Sequence, residues 1–140
     1  MLPTVYVNYW AVLVAAIASM VVGMLWYSPK VFGSMWMELM GFTMKDMEKA
    51  KQKGMGMMYF TAFIGAFVTS YVLDLFIKYL QASTIADGLQ VGFWLWLGFI
   101  ATVGLGSVLW EGKHPKVYLI NMAHQLVSIL IMNLILTAWV

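Results

Sequence analysis

The sequence predicts an all-α membrane protein of four transmembrane helices, with an amphipathic interfacial helical connection between the first and second. Three observations lead there. Of the 140 residues 63% are hydrophobic and only 10% charged, with a mean hydropathy of +0.84, whereas a soluble domain carries about 25% charged residues. The apolar residues gather into four runs, each near the roughly 20 residues that a helix needs to cross a ~30 Å hydrocarbon core. Tryptophans stand toward the ends of these runs, at the level of interfacial aromatic belts. The runs consume most of the chain, so a single integral membrane domain over residues 1–140 is expected.

The first span is expected over about 5–27. Trp10 and Trp26 lie near its ends, roughly 24 Å apart on a helix, and Ala11, Ala15, Ser19 and Gly23 recur every fourth residue. A seam of small residues lets another helix backbone come close. The run lacks a positive leader segment and is too long for a signal-peptide core, so it is expected to stay as a helix. Pro29 cannot continue it and disfavours helical geometry at Ser28.

The one long connection, about 28–54, divides in two. Val31, Phe32, Met35, Trp36, Leu39 and Met40 have helical apolar spacing, as in a short helix lying in the interface plane. Gly41 is placed to stop it. Thr43 then caps a second helix, with Asp46 at the capping-box position. Lys45, Lys49, Lys51 and Lys53 stud that helix and suit lipid headgroups. Equally, these lysines enforce topology.

The second span is expected over about 57–80, with Thr61, Gly65 and Thr69 as its small seam. Asp74 and Lys78 lie four apart, share a face and can form an intramembrane ion pair. The third span, about 88–110, contains Gly88, Gly92, Gly98, Gly104 and Gly106, and Trp94, Trp96 and Trp110 mark its ends. The fourth is expected over about 116–139. Tyr9-Trp10 and Phe93-Trp94, followed by Trp26 and Trp110 at matching distances, also suggest a faint parallel repeat of the two halves.

Seven of the eight lysines fall on the side of the first and third connections, and arginine is absent. By the positive-inside rule both termini face away from the cytoplasm, in a membrane expected to be the bacterial inner one. The net charge of +2 gives no reason to expect a nucleic-acid partner, and with no Cys there is no thiol chemistry or Cys-held zinc.

Chemistry is concentrated on the fourth span. Asn121, His124, Gln125 and Ser128 follow at i, i+3, i+4 and i+7 and share one face, with Asn133 further along. Polar groups in hydrocarbon face the bundle interior or a wet cavity. One reading is interhelical hydrogen bonding that fixes packing. The other is a solute- or proton-binding stripe with His124 as its titrating member. No nucleophile elbow, phosphate loop or zinc signature occurs, so neither enzymatic activity nor a metal or cofactor is expected. The thirteen methionines read as packing and interfacial side chains.

The stretch from Gly23 to Trp36 carries a resemblance. Gly23-x-x-Trp26-Tyr27-x-Pro29-x-x-Phe32-Gly33-x-x-Trp36 resembles the core pattern of the small bacterial and fungal membrane proteins grouped as domain of unknown function 1761. Asn8-x-x-Ala11 matches that family's earlier element loosely. The resemblance covers essentially the whole chain and implies a four-helix integral membrane protein. It implies no activity, substrate or catalytic residues. The function expected from the sequence is that of a non-enzymatic membrane scaffold that self-associates, a dimer being favoured, with membrane lipids as its other partners. The alternative is a small transporter or channel using the polar face of the fourth span.

Overall fold

The computed structural model describes residues 1–139. The first span is α1 (Tyr9–Trp26). The connection holds α2 (Gly33–Met40) and α3 (Met44–Gln52). The second span is α4 (Gly56–Tyr79). The third comprises α5 (Ile85–Trp96), a π turn (Leu97–Ala101) and two short pieces, α6 (Thr102–Gly104) and α7 (Gly106–Leu109). The fourth is α8 (Pro115–Ala138). All four spans are long and apolar enough to cross a membrane, and no strand occurs among the described residues.

Local chemistry sets the boundaries. α1 starts at Tyr9 rather than near residue 5 because the Asn8 carboxamide oxygen accepts from Ala11 N–H at 3.2 Å. That makes Asn8 the N-cap and leaves the preceding residues outside the helix. α2 ends at Gly41, whose φ of 77° is the left-handed geometry that glycine adopts freely. Thr43 and Asp46 form a reciprocal capping box at the start of α3, and Thr84 with Asp87 repeats it at α5. The second box carries the third span back to Ile85, three residues before the start expected at 88.

The third span also departs from the expected straight helix. In the π turn the Thr102 N–H donates to Leu97 O, five residues back. A π turn inserts an extra residue and rotates everything beyond it. The turn's Ala101 carbonyl receives the Tyr118 hydroxyl of α8, so the break is tied down from outside. α1 has no such interruption. The residues paired by the suggested repeat also differ: Trp26 is half-buried, whereas Trp110 is 86% exposed.

α8 is the hub. It packs along α1 and α5, and touches α4 and α2, while α4 packs on α1. α1 and α8 run antiparallel, and the Asn8 amide donates to Trp139 O at 3.4 Å. The start of α1, the α4–α5 turn and the end of α8 therefore share one end, the terminal end. The lysine-bearing connections form the other. Packing is uneven between them. Near the terminal end Ala11, Val12 and Ala15 of α1, Leu73 and Ile77 of α4, and Ile129, Met132 and Leu136 of α8 form the core. Toward the lysine-rich end α4 has no buried residue from Gly56 to Thr69, and the third span has none from Thr102 to Leu109. There α4 and the end of the third span are loosely covered, while Val117 and Ile120 of α8 stay buried.

Candidate functional site: a lipid-side groove beside an aromatic knot

The motif residues fold into a knot where α1 leaves the bundle. After Trp26 the chain turns tightly, with Val31 N–H and Gly33 N–H both donating to Ser28 O at 3.0 and 2.9 Å. The Ser34 hydroxyl donates to Pro29 O at 3.1 Å. Gly33 is buried so closely that a Cβ there would lie 2.1 Å from Tyr27 O, and no side chain fits. This turn sets Phe32 against Trp26, ring centroids 4.7 Å apart, and Trp36 edge-on to Tyr27 at 5.9 Å.

The same residues hold α8. The Trp26 indole N–H donates to Ile120 O at 3.1 Å, and the Tyr27 hydroxyl donates to Asn121 Oδ1 at 2.6 Å. His124 lies against both rings, with centroids 6.2 Å from Trp26 and 5.1 Å from Tyr27. Its Nε2 is 3.3 Å from Ser128 Oγ. Gly23 leaves room for that imidazole, since a Cβ at 23 would stand 3.3 Å from Nε2. From the other side the Trp96 indole donates to Met122 O at 2.9 Å. The sequence suggested that Trp26 and Trp96 mark span ends as interfacial anchors. Both instead turn inward onto carbonyls of α8, while Trp10, Trp94 and Trp110 are exposed.

The polar face of α8 is thus divided. Asn121, His124 and Ser128 engage α1 or one another, whereas the Gln125 side chain makes no hydrogen bond among the described residues and is exposed. Asn133 lies deeper and is fully buried. Its Nδ2 donates to Gly88 O at 2.8 Å, fastening the start of α5 to α8. Its Oδ1 has no partner among the described residues. Asp74 and Lys78 make no hydrogen bond to this face among the described residues. Lys78 Nζ bonds both Asp74 oxygens at 2.8 and 2.7 Å, with the carboxylate buried and the ammonium partly exposed.

Beside the knot, α4 stands away from α1 and α8 and leaves a groove of about 780 Å³, within the ~300–1,000 Å³ usual for small-molecule sites. Ser19, Met20 and Gly23 line one wall; Ala62, Gly65, Ala66 and Thr69 line the facing one. Tyr27, His124 and Gln125 border it from the knot. α3 crosses its lysine-rich end, contributing Met47 and Lys51. The small seam of α4, of a kind that lets another helix backbone come close, faces open space among the described residues, with nothing within 4 Å of a Cβ placed on Gly65. Of the four lysines expected to meet lipid, Lys51 reaches the groove, while Lys45, Lys49 and Lys53 are exposed on or beside α3. The groove was not foreseen, because it depends on how three helices diverge. The unspent Gly65 was its one trace in the sequence.

The comparisons add the family. The family model described as a protein of unknown function (DUF1761) matches residues 10–137. The match spans nearly the whole chain, and the chain belongs to that family. No curated protein and no solved structure shows a match.

Proposed function

We propose, for a member of a family without an assigned activity, that the protein is a non-enzymatic binding component of the membrane. Its working surface is the groove between α1, α4 and α8. The observation that carries this reading is the uncovered inner face of α4. Glycine inside a helix costs about 1 kcal/mol relative to alanine, and close approach of a neighbour is the usual compensation. At Gly65 none of the described residues makes that approach. An occupant from outside the chain does so.

Beyond the groove, Ser70, Leu73 and Ile77 of α4 are buried, and the Ser70 hydroxyl bonds Val12 O at 3.0 Å. That closed half supports binding over passage of a solute from one side to the other. In this reading the lysine-rich end faces the cytoplasm of a bacterial inner membrane and both termini face away, as the positive-inside rule directs.

A second reading, a scaffold that self-associates as a homodimer, is favoured by Gly98, which likewise has nothing within 4 Å. There a helix from a second copy packs on the unspent small residues. A photoreactive side chain at Ala66, in the groove, separates the two readings when compared with one at Ile64, on the outer side of α4 and 46% exposed. The binding reading expects one discrete small-molecule adduct per chain at 66 and a bulk-lipid mixture at 64. A two-chain adduct at 66 transfers the function to self-association, and the same lipid mixture at both positions sinks the groove as a site.

A further inference from the structure

We infer that the groove holds one hydrocarbon chain of an anionic phospholipid drawn from the surrounding bilayer, with its headgroup at Lys51. The inference rests on the groove being the binding site and adds the chemistry of its occupant.

The side chains change character along the groove. Trp26 bonds the carbonyl of Ile120, Tyr27 bonds Asn121 and Gly23 abuts His124, so α1 and α8 rise side by side from the lysine-rich end. Lys51, Ser28 and Tyr59 stand at the mouth. About one turn further in come His124 and Gln125. Deeper still the lining becomes Met20, Gly65, Ala66 and Met132, with Ser19 and Thr69 as the polar residues at that depth. The Thr69 hydroxyl is already spent on Gly65 O at 2.9 Å. A cation, then amide and imidazole, then mostly apolar and small surface is the complement of an anionic head, an ester linkage and a chain.

The groove also has the length of a lipid chain. Tyr59 to Thr69 is ten residues of helix, roughly 15 Å. That is about half of a ~30 Å hydrocarbon core, the depth of one leaflet. The groove ends where α4 closes on α1, so a chain entering at the headgroup level stops near the bilayer midplane. The groove's side is open to the membrane, and the lipid's second chain stays in the bilayer.

Charge and hydrogen bonding suit an anionic head as well. Lys51 is the charged residue among the lining side chains, and no carboxylate lines the groove among the described residues. The Gln125 amide has no hydrogen-bond partner among the described residues. A polar group facing hydrocarbon without a partner is costly, and an ester carbonyl at this level accepts its N–H.

The test reconstitutes the full chain in vesicles of equal phosphatidylglycerol and phosphatidylethanolamine, then reads retained lipid by native mass spectrometry after gentle extraction. One phosphatidylglycerol per chain is expected, preferred over phosphatidylethanolamine by about fivefold. Lys51→Gln should bring the two lipids toward parity. Lys113→Gln, a lysine at the same end that does not line the groove, should keep the preference. Gly65→Leu, or Ala66→Leu as a second filling variant, should expel the lipid. If the filled variants keep the lipid, the groove is not the site and the binding reading falls with this inference. If they lose it but both headgroups bind equally in the unaltered protein, the groove stands and the anionic class is wrong. If Lys113→Gln erases the preference as fully as Lys51→Gln, the selectivity belongs to the whole basic end and the inference is overturned.

Discussion

The small residues of α5 at the terminal end and those of α4 toward the lysine-rich end serve opposite purposes. Near the terminal end small residues bring helices together. Gly92 lies so close to α8 that a Cβ there would stand 2.9 Å from Asn133 Nδ2 and 3.0 Å from Ile129 Cγ2, and Gly88 is closer still to Thr137. Toward the lysine-rich end Gly65 and its neighbours on α4 face open space. What differs is the surroundings. Buried polar bonds between helices accompany the tight contacts: Ser70 to Val12 O and Asn133 to Gly88 O. Along the loose half of α4 the threonines 61 and 69 bond only their own helix. Along α4, small residues permit close packing, and the half that packs is the half that also bonds across to α1.

The largest effect expected from disturbing this contrast is at the ion pair. Lys78→Met leaves the buried Asp74 carboxylate without its partner and should lower stability by about 3 kcal/mol. Adding Asp74→Leu should recover most of the loss. Denaturant titration in micelles reads both, and equal stability of the single variant and the parent would mean that the pair does not hold the tight half. Next comes a matched pair of glycines. Gly92→Leu should cost about 2 kcal/mol through overpacking, whereas Gly65→Leu should change stability by no more than about 0.5 kcal/mol. Similar losses at both would erase the distinction between the halves.

The smallest effect lies outside the membrane. The Thr43 backbone N–H, followed by the Thr43 hydroxyl, holds the Asp46 carboxyl below its ordinary range. A carboxyl lowered in the folded state contributes stability above its unfolded pKa, and that contribution is lost as pH falls through the folded value. Protection of the α3 amides, relative to their intrinsic exchange rate at each pH, should therefore fall on acidification below the ordinary carboxylate range, while the terminal half stays protected. Unchanged α3 protection across that range would show that the capping box does not anchor the helix over the groove.

Much of the architecture was legible because single residues carry it. Four apolar runs, Gly41 and the Thr43–Asp46 box each act locally, and the structure builds each where its chemistry directs. The motif was legible as a pattern but not as a mechanism. Nothing in Trp26 or Trp96 distinguishes an indole lying in the interface from one donating to a carbonyl of another helix. The π turn at Leu97-Gly-Phe-Ile-Ala101 was hidden because its residues are as apolar as an uninterrupted span would need. Asn8 could have been found, since an asparagine three residues before Ala11 at the edge of an apolar run is a standard cap. The polar face of α8 was seen as one stripe. Its division between knot and groove depends on α1 and α4 approaching from different angles, which no spacing along α8 records.

The aromatic knot also orders events in time. Its bonds join Trp26 to Ile120 and Tyr27 to Asn121, each separated by 94 positions. A ribosome delivers α1 first and α8 last, so the first span waits in the bilayer without the helix that receives its indole and phenol. Until then those two groups sit at the span's end, where headgroup water can serve them. Arrival of α8 replaces that water, and the same event supplies the hub on which α1 and α5 both pack. Maturation of this small protein is therefore gated by α8, and a chain that stalls before residue 120 holds three spans and two connection helices, of which α1 and α4 are the main pair left to pack on each other.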